Sequence, residues 1–178
     1  MRHEGPELLQ KTNRNIHHRG TSDLGSMIYP QSVVYAIEAL GYLVSLPQDT
    51  SAKAKEISTA LNIPEHFLGK VLTELVKKKF VASTKGPSGG FRLNVDPTKV
   101  TLYRVLAALD GLSRLEDDCV MGLDTCTSDA PCALHDQWQT FKETAVYKAQ
   151  QLPLSELSKI VMAKTILQKA SPPRGKER

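Results

Sequence analysis

Three cysteines and a histidine crowd one short stretch of this chain: Cys119, Cys126, Cys132 and His135, separated by six, five and two residues. An odd number of thiols in one loop suits a disulfide framework badly and a metal site in a reducing compartment better. Thiolates are the soft ligands that iron-sulfur clusters require, and an imidazole as fourth ligand raises a cluster's potential. The same set is also an ordinary tetrahedral zinc site, and unligated thiols are open to redox chemistry. The residues alone leave an iron-sulfur site, a zinc site and thiol redox chemistry open. Cys132 and His135 stand three apart at the predicted start of a helix, with Pro131 fixing the entry. They share one face there, and the helix dipole favours a thiolate.

A second kind of chemistry lies upstream. Between Lys53 and Leu93 there are eight cations and three acids, whereas between Asp110 and Asp136 there are seven acids and only Arg114. The net charge of +4 says little alone. Its segregation implies a surface for phosphates followed by one for cations or metal. Lys70, Thr73 and Lys77 fall on the outer face of a predicted helix, where they can reach phosphates or base edges. Gly86, Gly89 and Gly90 fall in a predicted hairpin turn and allow close approach to a duplex, with Lys85 and Arg92 beside them to touch phosphate or the minor groove. The competing reading is a small interaction module that binds protein, with Lys77 to Lys79 a solvated helix end.

The elements that must position these groups follow from periodicity. Val33, Ile37, Leu40 and Val44 recur at helical spacing, predicting a helix over Pro30 to Leu46 that Pro47 ends. Thr50 and Ser51 are expected to cap a short second helix carrying Ala54, Ile57, Ala60 and Leu61 inward. Asn62 and Ile63 make a turn, and Pro64 suits the first position of a third helix, whose buried stripe is Phe67, Leu68, Val71, Leu72, Leu75 and Val76. Phe80–Ala82 and Phe91–Val95 are β-prone runs joined by a Gly/Pro turn, hence a hairpin. Thr101–Leu109 reads as a short helix and Asp110–Pro131 as an acidic loop. Cys132–Leu152 reads as a long amphipathic helix with Leu134, Trp138, Phe141 and Ala145 inward, and Ser155–Gln168 as a last helix after Pro153.

The order helix, turn, longer helix, hairpin is that of a winged helix-turn-helix, whose second motif helix enters the major groove. The expected architecture is mainly α with a small β-hairpin wing, followed by a long dimerisation helix. Residues 1–26 are polar and aperiodic, expected to be a disordered extension or vector-derived sequence. Residues 27–109 form the DNA-binding domain, 110–131 the cysteine-bearing loop, 132–168 the dimerisation and C-terminal helices, and 169–178 a disordered tail. No apolar run approaches the roughly 20 residues a membrane span needs, and no secretory signal is apparent, so a cytoplasmic protein without membrane partner is expected. No phosphate-cradling or triad motif accompanies the single Cys/His group, so neither enzymatic activity nor a small-molecule substrate is expected.

Three segments resemble the IscR and NsrR regulators of the Rrf-two family: Ile63-Pro-Glu-His-Phe-Leu-Gly-Lys-Val-Leu-Thr-Glu-Leu75, the wing Lys85-Gly-Pro-Ser-Gly-Gly-Phe-Arg-Leu93, and Val100-Thr-Leu-Tyr-Arg-Val-Leu106. The resemblance covers Met27 to about Leu152. The wing is its specific part. The family pattern there is Arg-Gly-x-x-Gly-Gly-Tyr-x-Leu, with Lys85 and Phe91 here replacing the arginine and tyrosine, and lysine gives up arginine's bidentate geometry. The resemblance implies a dimeric transcription factor that binds a double-stranded operator. Leu134, Trp138 and Phe141 lie on the segment that matches its dimerisation helix. It also implies that Cys119, Cys126, Cys132 and His135 ligate an iron-sulfur cluster, the two-iron form being favoured over the four-iron form. The gap of six residues after Cys119 exceeds the usual five, and Val34 occupies the place of an aspartate ligand in the NsrR branch. Glu38, the carboxylate on the first helix, reads better as a surface residue.

Overall fold

A computed structural model describes residues 28–86, 89–112, 119–123 and 126–170. The expected N-terminal extension, nearly all of the expected tail and part of the acidic loop lie outside the described residues. Among the described residues the chain forms six helices and one antiparallel hairpin: α1 Gln31–Ser45, α2 Ala54–Leu61, α3 Glu65–Lys77, β1 Val81–Thr84, β2 Gly90–Leu93, α4 Leu102–Ala108, α5 His135–Gln151 and α6 Leu154–Ala170. This is the winged helix-turn-helix that the sequence predicts, with two long helices appended.

α1 is the central support. Of its buried side, Ala36, Ala39, Leu40 and Leu43 meet Ile57 of α2, Leu68, Leu72 and Leu75 of α3, and Leu154, Leu157 and Val161 of α6 in one core. Small residues let α6 come close. Ser158 donates a buried 2.7 Å hydrogen bond to the Gly41 carbonyl, and a Cβ added at Gly41 would sit 2.9–3.0 Å from the Val161 side chain. Ile37 and Val44, expected inward, are only half-buried, because small Ala36, Ala39 and Gly41 take the closest contacts.

The turn between α2 and α3 uses Asn62 in the left-handed region, φ 55°, which asparagine tolerates better than most residues. The Ser58 hydroxyl donates to the Ile63 carbonyl at 2.6 Å and locks the turn. Two expectations shift here. Thr50 and Ser51 do not cap α2. The chain before it is extended, Ala52 exchanging backbone hydrogen bonds with Phe91, and the Glu56 carboxylate accepts the Lys53 N–H at 2.9 Å instead. Pro64 precedes α3 rather than beginning it.

α3 ends by turning through Lys79 at φ 65°. Phe80 N–H donates to Leu75 and Lys79 N–H to Val76, the hydrogen-bond pair of a Schellman stop. Phe80 is thereby buried as core, and β1 starts at Val81, later than predicted. β1 and β2 pair from Val81 opposite Leu93 to Thr84 opposite Gly90. A second small core joins Val33, Leu106, Leu112 and Ala149, with Tyr29, Tyr103 and Trp138 packed against it, and it seats α5 on α4.

Candidate metal centre and nucleic-acid interface

The sulfurs of Cys119, Cys126 and Cys132 all lie within 4.8 Å of one another. Each comes from irregular backbone: Cys119 opens a tight turn in which Gly122 N–H donates to the Cys119 carbonyl, Cys126 precedes the Thr127–Ala130 turn, and Cys132 follows Pro131. The helix expected from Cys132 begins only at His135. Leu134, at φ −117° and ψ 16°, is not helical, and the Cys132 carbonyl accepts the His135 N–H in a preceding turn. Cys132 and His135 therefore do not share a helical face. His135 is 8% exposed and reaches the thiols through Nδ1, 3.1 Å from Cys126 Sγ.

The thiols differ in acidity. Backbone N–H groups of Leu123 and then Met121 point at Cys119 and, with hydrogen bonds from Cys126 and Cys132, draw its thiol down to about 7, since donors stabilise a thiolate. At Cys126 the backbone of Cys132 pulls the same way, but desolvation and the sulfurs of Cys119 and Cys132 outweigh it, and the thiol stands above its ordinary value. Three soft donors this close repel as thiolates and are relieved by a cation, so the donor set fits a thiophilic metal or cluster. Glu38 is half-buried on α1, and burial raises its carboxyl. It stands outside the convergent group. Val34, also on α1, has no ligating atom.

The expected nucleic-acid residues fall on three structural parts. On α3, Lys70, Thr73 and Lys77 are exposed, together with His66 and Phe67. Thr73 donates its hydroxyl to the Gly69 carbonyl at 2.8 Å, leaving oxygen lone pairs outward, and Lys77 pairs with Glu74 at 3.2 Å. Lys70 also borders a pocket of about 380 Å³ between α1, α3 and the end of α4, with Lys78 and Asp110. On the wing, Lys85 is exposed and Arg92 reaches Asp49 at 3.7 Å. The glycines prove to have intramolecular reasons. Gly86 has φ 114°, a Cβ on Gly89 would strike the Thr84 carbonyl, and one on Gly90 would meet the Ala52 carbonyl at 2.6 Å.

The sequence reading misplaced Phe67. Expected inside, it is 48% exposed, its ring 4.0 Å from that of His66. The buried stripe of α3 is Leu68, Val71, Leu72 and Leu75, and a strict helical wheel places position 67 about a quarter of a turn away from its centre. On α5, Trp138 is half-buried and stacks on Phe141 with centroids 5.3 Å apart and planes at 11°. Leu134 and Phe141 are 45% and 43% exposed, so within one chain this face is open, and Ala145 is half-buried.

A winged helix-turn-helix with basic residues along its third helix and a three-thiol loop leading into a long helix defines a class of protein, the winged-helix transcriptional regulators. The chain belongs to the Rrf2 family, whose model, described as an iron-dependent transcriptional regulator, matches residues 29–160. It is similar to a helix-turn-helix-type transcriptional regulator of Aquifex aeolicus, 37% identical over 118 residues that span 65% of this chain and 81% of the relative. It is 30% identical over 112 residues to the regulator NsrR of Geobacillus kaustophilus, spanning 60% of this chain and 76% of that one. Among solved structures, CymR, the global cysteine regulator of B. subtilis, superposes with a TM-score of 0.60 at 18% identity, over 74% of this chain and 95% of its own. T. potens IscR does so with a TM-score of 0.56 at 18% identity, over 82% and 92%. The family is one of transcriptional regulators, not enzymes.

Proposed function

We propose that this protein is a cytoplasmic, homodimeric regulator that binds a double-stranded operator through α3 and the wing, with an affinity set by an iron-sulfur cluster on Cys119, Cys126, Cys132 and His135. The observation that carries the metal is the convergence of the three thiols within 4.8 Å. His135, whose Nδ1 lies on the thiol side, is the fourth ligand. The family description as iron-dependent and the relatives named NsrR and IscR support iron over other metals, and we favour the two-iron over the four-iron form. When bound, the cluster supplies a redox-active group whose loss is the signal. The DNA contacts are Lys70, Thr73 and Lys77 on α3, with Lys85, Gly86, Gly89, Gly90 and Arg92 on the wing. Leu134, Trp138 and Phe141 form the dimer seam, because one reading head makes too few contacts for operator affinity and two-fold pairing doubles them.

The compactness of the thiols favours one second reading. Zinc-sulfur bonds of about 2.3 Å put the sulfurs of a tetrahedral site roughly 3.8 Å apart, which three thiols within 4.8 Å approach closely. Purification without oxygen, followed by iron, sulfide and zinc analysis with Mössbauer spectra, separates the two. Brown protein with matched iron and sulfide is expected. Colourless protein with one zinc per chain, and unchanged operator affinity after chelation, would overturn the cluster reading.

A further inference from the structure

The first two turns of α3 hold a feature that the basic residues do not explain. Phe67 stands 48% exposed although partly open Ile37, Val76 and Leu93 all find cover in the adjoining core. About half of this side chain stays open to solvent in this chain. It is held against His66, with ring centroids 4.0 Å apart. Two residues on, Gly69 sits inside the helix, and a Cβ added there meets nothing within 4 Å. Gly41 lets α6 approach and Gly90 lets Ala52 approach, whereas among the described residues none reaches the place a Cβ on Gly69 would take. A helix-interior glycine costs about 1 kcal/mol relative to alanine, so here the helix gives up stability for a clearance that its own fold does not use.

The position of this pair supplies a use. In a helix-turn-helix, the N-terminal residues of the second helix meet base edges, and phenylalanine contacts the methyl group that distinguishes thymine in the major groove. His66 beside it can donate or accept at a base edge or phosphate. We propose that Phe67 and Gly69 set the sequence specificity of this regulator, Phe67 by packing on a thymine methyl with His66 supporting its ring, and Gly69 by leaving room for a base pair to approach the helix backbone. This rests on the reading of α3 as the DNA-contacting helix. It assigns discrimination to the apolar and empty positions, and affinity without discrimination to the lysines.

The test uses the full-length chain, with the operator obtained by selection from random duplexes. Phe67→Ala should lower operator affinity about a hundredfold, as expected for one base contact of about tenfold lost in each half-site of the dimer, and leave the salt dependence unchanged. Replacing a single thymine of the operator by deoxyuridine should cost about tenfold at one position per half-site in the unaltered protein, one contact instead of two, and have no effect in Phe67→Ala. Gly69→Ala should raise the melting temperature and yet weaken specific binding at least tenfold, a combination that a merely structural glycine cannot give. Phe67→Ala and Gly69→Ala that bind and select like the unaltered protein would overturn the proposal while leaving α3 as a DNA-binding element. Absence of any salt-dependent duplex binding by the unaltered chain would remove the underlying reading, and this inference with it.

Discussion

Cys119 and Cys126 are neighbours with opposite tendencies, and their difference is measurable in the metal-free protein. A thiol drawn down to about 7 is half thiolate at neutral pH, and its thiolate fraction falls as the pH drops through that value. Because alkylation consumes the thiolate, Cys119 should react first with iodoacetamide, at a rate that rises with a midpoint near pH 7. Cys126, held up by desolvation and by its sulfur neighbours, should lag until the solution is distinctly alkaline. Peptide mapping after brief labelling at several pH values checks this, and equal rates would contradict the hydrogen-bond pattern around Cys119. Metal capture should weaken in the same direction, falling as acid protonates the ligands. Cys126→Ala should abolish cluster assembly. His135→Ala should be milder, removing one nitrogen ligand and the 3.1 Å contact to Cys126 while three sulfurs remain. Iron and sulfide content of the two variants decides between these outcomes. At this scale the sequence spacing revealed which residues gather. It did not reveal that Cys132 stays outside the helix, because that depends on the non-helical Leu134 and not on apolar periodicity.

The contact between α1 and α6 is the most extensive between the described elements, and it depends on small residues at its closest points. Val161 is β-branched and stiff, so the 2.9 Å approach to a Cβ at position 41 is relieved only by moving a helix. Gly41→Ala should therefore destabilise the fold by about 1–3 kcal/mol, the usual cost of overpacking. Ser158→Ala should cost about 1 kcal/mol through the lost hydrogen bond to Gly41. Urea unfolding with an unchanged slope checks both. On α3, Lys77 serves Glu74 and, in our reading, a phosphate. Lys77→Ala should lower the salt slope of duplex binding by about one unit, as should Lys85→Ala, while Glu74→Gln should strengthen binding to all sequences by releasing Lys77. The helices were legible because Leu68, Val71, Leu72 and Leu75 recur with a period that matches their burial. Two features escaped that pattern. The Schellman stop at Lys79 carries no glycine to announce it, and the extended segment at Ala52 is recruited by Phe91, distant in sequence.

At the scale of the whole molecule, the thiol loop lies along the chain between the helices and wing that we assign to DNA and the helix that we assign to dimerisation. Cys132 and His135 stand at the entrance of α5, α5 is seated on α4 through Trp138, Ala149 and Leu106, and that same core contains Val33 of α1, the helix that backs α3. A ligand set spanning Cys119 to His135 ties the loop to the first turn of α5. In the function we propose, releasing it would free that turn, and because the exposed face of Leu134 and Phe141 begins there, the two reading heads of the dimer would shift relative to each other. Half-sites one helical turn apart are separated by roughly 34 Å, a distance over which a small rotation at the seam displaces one α3 from its groove. A tenfold change in operator affinity needs only about 1.4 kcal/mol of coupling, ordinary for allostery. Trp138→Ala and Phe141→Ala should weaken dimerisation and operator binding together, and sedimentation showing tight dimers in both would remove the seam from α5. With the seam intact, holo and metal-free protein should differ at least tenfold in operator affinity, and hydrogen exchange should quicken on metal loss in the first turn of α5 before it quickens in α3. Equal affinities with altered exchange would leave the metal stabilising the loop without governing DNA binding.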